Sequence, residues 1–436
     1  MKLSRAFLLI AVLLLNVGCG GGSAGTAAPA SMTTVSTTPA VPTPAATTPA
    51  PTTPAATTPV PTAPAPATSD AALYPDYNQN PVAPDATGMG STAVQLASKI
   101  RLGLNIGNTM EAIGGETAWG NPLITEAMIK AAKADGFNAI RLPVAWDQYA
   151  NQQTGKIDQA WMDRVKQVVK YCVDNQMYVL LNIHWDGGWL ESNVVPDKQT
   201  AVNQKQKAFW TQIATQMRDF DEHLMFAGAN EPAVKTADQM PVLMSYHQTF
   251  IDAVRATGGK NAYRVLVVQG PSVDIDKSAQ MWTAMPTDTV SSKLMYEVHF
   301  YPWQFTLLDK DEWYGNAFYY WGKDNHSTTD TAHNPDKQEE AYVDQQFSSI
   351  RQQFVDKGIP VVLGEYAAML RTNLTGDALA LHKKSRIYYI NYVTKSAVAN
   401  GVLPFYWDVG GLIDRGNDNA VLDPNLLDAL VKGAAP

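Results

Sequence analysis

Short apolar runs alternate with amphipathic stretches along the chain from about residue 100 onward. The runs have strand length and are apolar nearly throughout, as parallel strands buried on both faces are. The eight runs cover residues 100–106, 139–144, 178–183, 224–229, 264–268, 294–300, 361–366 and 403–407. Stretches with helical spacing lie between them, at residues 125–135, 159–175, 204–220, 240–257, 339–357 and 376–400. This alternation predicts a (β/α)8 TIM barrel with right-handed crossovers.

A doubly wound sheet is the alternative fold for such an alternation. It would need a glycine-rich phosphate-binding turn after its first strand. The segment from Gly103 to Asn108 has only the spacing Gly-x-x-x-Gly-Asn and does not match that turn. We therefore predict the barrel, with an elongated, aromatic-rich loop after the sixth strand.

The fourth apolar run ends abruptly in Asn230, Glu231 and Pro232. Pro232 cannot extend a central strand, and it keeps the preceding residue in β or polyproline geometry. Glu231 is therefore a carboxylate on a constrained backbone at the carboxyl end of a buried strand, where βα barrels place their catalytic residues. A turn that merely ends the strand is the alternative that this motif alone leaves open.

Polar or aromatic side chains also follow most of the other runs. They are Asn105 and Asn108 after the first run, Arg141 in the second, His184 and Trp185 after the third, His299 and Tyr301 around the end of the sixth, Glu365 in the seventh, and Trp407 with Asp408 after the eighth. Any one of them alone is more often an ordinary ion pair or a hydrogen-bonded core residue. Seven runs of eight ending this way indicate a functional site at the barrel mouth.

Two of these residues, Glu231 and Glu365, end the fourth and seventh strands, which lie on opposite sides of an eight-stranded barrel. Facing carboxylates are what glycoside hydrolysis requires, because one protonates the leaving oxygen and the other attacks or activates water. Gly364 allows close backbone approach beside Glu365. Arg141 and Asn230 are the neighbours expected to keep one carboxylate ionised, since a nearby cation favours the charged form.

The segment after the sixth run is rich in aromatic residues, namely Trp303, Phe305, Trp313, Tyr314, Phe318, Tyr319, Tyr320 and Trp321. Trp185 and Trp189 follow the third run. Exposed aromatic rings suit the apolar C–H faces of sugars, whereas a self-packed loop core is the alternative expected for about half of the set. A loop of this length is uncommon in a compact domain unless it is functional, so we predict that it lines a polysaccharide cleft.

The N-terminus predicts an exported protein. Residues 1–19 have a basic start and an apolar segment too short to span a bilayer, as in a signal peptide, and they end like a bacterial lipoprotein cleavage site with Cys19 as the lipidated residue. Asn16 departs from the leucine usual at that site, so ordinary secretion is the alternative. Residues 20–69 contain Ala, Pro, Thr, Ser and Gly without charges, which predicts a disordered linker before a catalytic domain at residues 70–436. Gly20 and Gly21 do not form an aspartate-type inner-membrane retention signal, so we favour an outer-membrane anchor.

Composition indicates a large core and argues against some classes of function. A hydrophobic content of 45% supports a large core, and a net charge of −8 argues against a nucleic-acid partner. Neither CxxC nor HExxH occurs, so no metal motif is visible. Cys172 falls on a helical pattern, where we expect it buried and unpaired. Nothing points to an oligomer, and we expect a monomer attached to a membrane only through Cys19.

Together these motifs resemble glycoside hydrolase family 5, the cellulase family, from about residue 102 to residue 408. The matching segments are Arg141-Leu-Pro-Val, Asn-Ile-His184-Trp, Asn230-Glu231-Pro, His299-Phe-Tyr301, Gly-Glu365-Tyr and Trp407. Two further segments, Gly103-Leu-Asn-Ile-Gly-Asn-Thr109 and Glu116-Thr-Ala-Trp-Gly-Asn-Pro122, are most similar to a bacterial endo-β-1,4-glucanase subfamily that includes xyloglucanases.

The resemblance implies a retaining mechanism without cofactor or metal, with Glu231 as general acid/base and Glu365 as nucleophile. It implies that Asn230 binds the sugar 2-hydroxyl, that Arg141, His299 and Tyr301 position and ionise Glu365, that His184 contacts the same sugar and that Trp407 stacks on it. Asn108, Trp185 and Trp303 are further candidates for substrate contacts. Xyloglucan is the expected substrate; cellulose or mixed-linkage glucan, and mannan, are alternatives on the same barrel. A non-catalytic surface glycan-binding protein is the alternative from another class, but such a protein has no use for a proton donor.

Overall fold

The structure, a computed structural model, describes residues 72–435. Eight parallel strands close into a barrel in sequence order, with the last strand beside the first. The strands are β1 (Gly103–Ile106), β2 (Ala139–Leu142), β3 (Tyr178–Asn182), β4 (Leu224–Ala227), β5 (Leu266–Gln269), β6 (Leu294–His299), β7 (Val361–Tyr366) and β8 (Val402–Asp408). Each corresponds to one predicted apolar run, so the predicted TIM barrel is confirmed. The signal peptide at 1–19 with Cys19, and the linker at 20–69, lie outside the described residues and stay predictions.

Helices surround the barrel. They are α1 (Ala93–Ala97), α2 (Glu126–Ala134), α3 (Gln159–Asp174), α4 (Pro196–Met217), α5 (Met240–Ala256), α6 (Ile275–Met281), α7 (Trp303–Thr306), α8 (Glu340–Gln353), α9 (Gly376–Ala399) and α10 (Pro424–Gly433). The six predicted helices are present, but the predicted start of the third, at residue 204, was wrong. Helix α4 begins at Pro196, because proline at the first helical position follows the extended Val195.

One end of the barrel is closed by apolar packing. Interior side chains form a single cluster with the buried face of α1, including Leu96, Leu180, Met225, Val362 and Phe405. Helix α1 is fixed there by a capping box at its N-terminus. This apolar cluster fills the end of the barrel where the strands begin. The polar side chains at the carboxyl ends of the strands therefore lie together at the opposite end.

The long loop after β6 is folded on itself. Phe305, Phe318, Tyr320 and Trp321 are buried. Arg371, from the loop after β7, donates to four of its carbonyl oxygens, those of Gln304, Leu308, Asp309 and Phe318, at 2.7–3.3 Å. The expectation that about half of the aromatic residues pack within the loop is thus confirmed, and the buried guanidinium pins this loop to the loop after β7.

Two smaller features of the described residues bear on the sequence predictions. Cys172 is buried in α3 and unpaired, as expected. Within residues 72–435, no helix is both long and apolar enough to cross a membrane.

Candidate active site

Arg141, near the end of β2, is the centre of the polar cluster at the barrel mouth. Its side chain has no solvent exposure. Nη1 donates to Oε1 of Glu365 at 2.7 Å, and Nη2 donates to Oδ1 of Asn230 at 2.7 Å. One planar guanidinium therefore fixes side chains from the ends of β4 and β7, on opposite sides of the barrel.

A second carboxylate, that of Glu297, also binds Arg141 and was missed in the sequence analysis. Oε1 of Glu297 in β6 accepts from Nε of Arg141 at 2.9 Å, and Oε2 accepts from Nε2 of Gln269 in β5 at 2.7 Å. Burial would raise the pKa of Glu297, but the positive charges of Arg141 and His299 outweigh it and lower that pKa. Glu297 sits inside an apolar run, and a carboxylate in such a run must find a cation. That requirement was the available signal.

His299, the last residue of β6, lies between the two predicted catalytic glutamates. Its Nδ1 is 2.7 Å from Oε1 of Glu231 and 3.8 Å from Oε2 of Glu365. Burial opposes its charge, but Glu365, Glu231 and Glu297 outweigh this and raise the pKa of His299 to about 9. His299 is therefore a cation at neutral pH that donates to Glu231, while it faces Glu365 without a hydrogen bond.

The two glutamates have different environments. The side chain of Glu365 is 8% exposed, whereas that of Glu231 is 44% exposed. Burial raises the pKa of Glu365, and the charges of His299 and Arg141 oppose this rise. The Tyr301 hydroxyl donates to Oε2 of Glu365 at 3.3 Å, and burial raises the pKa of Tyr301 well above its ordinary value, so that it keeps its proton. Glu365 is held by fixed donors, and Glu231 is the more accessible carboxylate.

The separation of the two carboxylates is short. One oxygen of Glu231 and one of Glu365 lie within 4.8 Å of each other. Retaining glycosidases place their carboxyl groups about 5–5.5 Å apart, whereas inverting enzymes need about 6.5–9.5 Å to admit a water molecule. The spacing at this barrel mouth matches the retaining geometry.

The same residues are a possible metal-binding group. Among the described residues, Glu231, His299 and Glu365 are the set of three whose ligand atoms lie close enough to hold one ion. Because the pKa of His299 is raised to about 9, its Nδ1 carries a proton at neutral pH and would have to lose it to bind a metal. These three side chains therefore fit two carboxyl groups beside a charged histidine better than they fit a metal site.

His184 and Trp407 form one wall of the site. Their rings stack with centroids 5.6 Å apart and planes 9° from parallel. Burial lowers the pKa of His184, with Arg141 and His299 adding to the effect, so its ring is uncharged. A Cβ at Gly107 would come within 2.7 Å of the Trp407 ring, so glycine is needed for this wall to pack.

The remaining predicted contact residues differ in exposure. Asn108 is half-buried in a left-handed turn with φ of 57°, and Trp185 is also half-buried. Trp303 is 37% exposed at the start of α7. Trp189, by contrast, packs edge-on against Phe209 of α4, so its ring belongs to the contact between the loop after β3 and that helix.

The most exposed aromatic pair lies in the loop after β6. Trp313 is 93% exposed and Tyr314 is 54% exposed, at the tip of a hairpin closed by reciprocal backbone hydrogen bonds of 3.0 Å between Glu312 and Gly315. The two rings meet edge to face, with centroids 5.3 Å apart. Together with Trp303, they are the exposed aromatic residues of this loop.

We expect Gly364→Ala to disrupt the site, because the added Cβ would overlap Oε1 of Glu297. Displacing Glu297 also disturbs Arg141 and, through it, Glu365. Overpacking of this kind costs about 1–3 kcal/mol, and activity should fall with stability. Chemical denaturation and a hydrolysis assay measure both. Gly90→Ala is the matched control, because nothing lies within 4 Å of its added Cβ; equal behaviour of the two variants would contradict the account.

Raising the pH from about 6.5 to 9 is expected to lower the free energy of unfolding. His299 has a pKa of about 9 when folded and about 6.5 when unfolded. Its contribution, on the order of 3 kcal/mol, is therefore complete below pH 6.5 and is lost as the pH rises through 9. Denaturation midpoints across this range measure the slope. In His299→Gln the slope should be smaller, and an unchanged slope would show that His299 is not the group responsible.

Two carboxylates lie close together at the mouth of a (β/α)8 barrel, next to a buried arginine and a charged histidine. This arrangement is typical of glycoside hydrolases. The chain belongs to glycosyl hydrolase family 5, the cellulase family, whose family model matches residues 105–412. This confirms the family that the sequence motifs indicated.

Two curated relatives and one solved structure illustrate the similarity. The xyloglucan-specific endo-β-1,4-glucanase of Bacteroides ovatus is 40% identical over 352 residues, covering 76% of this chain and 67% of the relative. Endoglucanase B of Clostridium cellulovorans is 32% identical over 366 residues, covering 79% and 76%. The structure of a Bacteroides ovatus family 5 xyloglucanase with a XXXG heptasaccharide is 36% identical, with a TM-score of 0.76, covering 83% of this chain and 80% of that one.

Proposed function

We propose that the protein is a retaining endo-β-1,4-glucanase whose preferred substrate is xyloglucan, with Glu365 as nucleophile and Glu231 as general acid/base. The observation that carries the mechanism is the pair of carboxylate oxygens within 4.8 Å of each other. The difference in exposure supports these roles, because Glu365 is the carboxylate held by fixed donors and Glu231 is the more exposed one.

In the first step, Glu365 attacks the anomeric carbon while Glu231 protonates the leaving oxygen, which gives a covalent glycosyl-enzyme. Arg141 donates to Oε1 of Glu365 at 2.7 Å. This contact favours the ionised form of the nucleophile and fixes its orientation. Asn230, itself held by Arg141, is placed to bond the sugar 2-hydroxyl. His184 and Trp407 offer a flat, uncharged wall for the same sugar.

In the second step, Glu231 takes a proton from water, and the water oxygen attacks the glycosyl-enzyme, releasing Glu365 and the sugar with its original configuration. His299 has its Nδ1 2.7 Å from Oε1 of Glu231, so it can stabilise the carboxylate form that this step needs. The hydrogen bond and the positive charge of His299 thus support Glu231 as the general base of the second step.

The choice of xyloglucan rests on similarity rather than on the site. The relative at 40% identity is described as xyloglucan-specific, and the similar structure contains a xyloglucan heptasaccharide. The endoglucanase at 32% identity keeps unbranched glucan as the second candidate. A branched, soluble polymer also suits an enzyme carried on the linker that the sequence predicts at residues 20–69.

Reducing-end release from xyloglucan, carboxymethylcellulose, barley β-glucan and glucomannan tests this proposal, with Glu365→Ala as the inactive control. Fastest cleavage of xyloglucan, lost in the variant, supports both mechanism and substrate. Preference for glucomannan would keep the mechanism and overturn the substrate. Binding without cleavage of any polymer would move the protein to the glycan-binding class.

Trp313→Ala is expected to raise KM for polymeric xyloglucan by about 3- to 10-fold with kcat little changed, since an aromatic contact contributes about 0.5–1.5 kcal/mol. The reason is that Trp313 is almost fully exposed on the loop that rises from the mouth. Initial rates on polymer measure the effect. Val94→Ala is the control, because this side chain is also exposed but lies on α1, at the opposite end of the barrel. Equal effects in the two variants would contradict a role for the hairpin.

A further inference from the structure

Glu191 is a buried carboxyl group that the mechanism above does not use. It opens a single helical turn, Glu191–Asn193, in the loop after β3. Its Oε1 accepts the backbone N–H of Glu231 at 2.7 Å, and its own carbonyl oxygen accepts the backbone N–H of Ala233 at 2.9 Å. One residue thus holds the chain on both sides of the peptide bond that joins Glu231 to Pro232.

The backbone of Glu231 needs such a partner. Strand β4 ends at Ala227, and the following N–H groups are taken by β5: that of Gly228 by the Val267 carbonyl and that of Ala229 by the Gln269 side chain. Beyond them the chain turns away from the sheet, and Pro232 has no N–H to offer. A buried N–H without an acceptor is strongly unfavourable, and the Glu191 carboxyl is the acceptor that Glu231 has.

Glu191 is also linked to the nucleophile. Asn230 directly precedes the backbone N–H that Glu191 accepts, and Oδ1 of Asn230 accepts from Arg141 at 2.7 Å. Arg141 in turn binds Glu365 at 2.7 Å. The loop after β3 is therefore connected to Glu365 through the backbone of Glu231 and Asn230 and through the side chains of Asn230 and Arg141.

We propose that Glu191 is a positioning residue for the acid/base: it fixes the backbone on both sides of the Glu231–Pro232 bond, and so sets the position from which Glu231 delivers its proton. This inference rests on the proposed function, because it needs Glu231 to be the acid/base. Neither the family resemblance nor the polar residues at strand ends predicted a role for Glu191.

The protonation state of Glu191 suits this role. Burial raises its pKa to about 8, and the charges of Glu231 and Glu365 add to the effect. At neutral pH the group is thus uncharged, so it accepts the Glu231 N–H without placing a third negative charge beside the two glutamates. Its ionisation near pH 8 would bring that charge into the site.

A second buried carboxyl in the same loop provides a matched control. Asp186 accepts from the backbone N–H of Trp146 and from the indole of Trp189, both at 2.9 Å. Burial raises its pKa to about 7. Asp186 therefore anchors the loop as Glu191 does, but its hydrogen bonds go to neither glutamate.

The test uses the full chain carrying Glu191→Gln, Glu191→Met or Asp186→Asn. Glutamine keeps a neutral acceptor of the same length, whereas methionine fills the space without one. Values of kcat/KM are measured on two aryl glycosides of a β-1,4-glucan oligosaccharide, one with a phenol and one with a dinitrophenol leaving group. Only the phenol needs protonation as it leaves.

We expect Glu191→Met to lower kcat/KM by about 10- to 100-fold on the phenyl substrate, the effect of losing one buried hydrogen bond, and by much less on the dinitrophenyl substrate. Glu191→Gln should stay close to the native value on both at neutral pH, and the alkaline limb of its pH profile should differ from the native one, because glutamine cannot ionise near pH 8. Asp186→Asn should show the same ratio between the two substrates as the native enzyme.

Three results would overturn the proposal: native activity of Glu191→Met on the phenyl substrate, equal loss on both substrates, or a loss in Glu191→Gln as large as in Glu191→Met. If Glu191→Met does not fold, the pH profile of Glu191→Gln is the deciding measurement. An alkaline limb at the same pH as in the native enzyme overturns the proposal. Failure of the proposed function is seen separately, as activity that survives in Glu365→Ala.

Discussion

Replacing Glu365 by alanine is expected to lower kcat on β-glucan by at least about 10⁴-fold, because the variant has no group that can form the glycosyl-enzyme. Affinity for the polymer should change little, since Glu365 is only 8% exposed and the cleft aromatics remain. Hydrolysis and binding are measured on the same preparation. A small anion such as azide should restore part of the activity and give the glycosyl azide of inverted configuration, because it attacks from the side that Glu365 leaves empty.

The control for this variant is Glu126→Ala, which removes an exposed glutamate of α2 paired with Lys130. It should keep native activity, because a surface ion pair contributes about 1 kcal/mol or less. Residual activity of Glu365→Ala above about one part in a hundred, without azide, would show that another group performs the attack.

Arg141→Met is expected to destabilise the protein by about 3–5 kcal/mol and to abolish hydrolysis. The substitution leaves the carboxylates of Glu297 and Glu365 buried without the guanidinium that now lies 2.9 and 2.7 Å from them. Breaking a buried ion pair by removing one partner has this cost, because an uncompensated charge stays in the interior. Chemical denaturation measures the stability, and the hydrolysis assay measures the activity.

Arg141→Lys separates charge from geometry. Lysine keeps the cation but cannot present the planar fork that donates to four side chains at once, those of Asn105, Asn230, Glu297 and Glu365, so we expect partial stability and a large loss of activity. Arg351→Met removes an arginine whose partner, Asp356, is as exposed as it is, and it should cost less than about 1 kcal/mol. Similar stability losses in Arg141→Met and Arg351→Met would contradict the central role of Arg141.

The strands could be predicted from the sequence because burial on both faces makes each one a continuous apolar run. The helices were harder at their ends. The first turns of α4 are polar and lack apolar spacing, and the short α6 and the C-terminal α10 did not stand out. Their capping aspartates, Asp274 and Asp423, accept backbone N–H groups of the first turns and were the signals available.

The candidate site divides in the same way. Residues at strand ends were predicted because polar side chains contrast with the apolar runs before them, as at Arg141 and Glu365. Glu297 and Gln269 were missed because they lie within or beside a run, and Glu191 because it lies in a loop, where carboxylates are ordinary. Which residues touch depends on barrel closure, which brings side chains more than 200 positions apart to 2.7 Å in the case of Arg141 and Glu365.

The measurement that tests the account most directly is the trapping of the glycosyl-enzyme. The protein is incubated with an activated 2-deoxy-2-fluoro glycoside of a β-1,4-glucan oligosaccharide, which forms the intermediate and hydrolyses slowly, and the label is located by peptide mass spectrometry. We predict one glycosyl group per molecule, on Glu365. A label on Glu231, or an active enzyme that takes no label and releases product of inverted configuration, would contradict the assignment of nucleophile and acid/base.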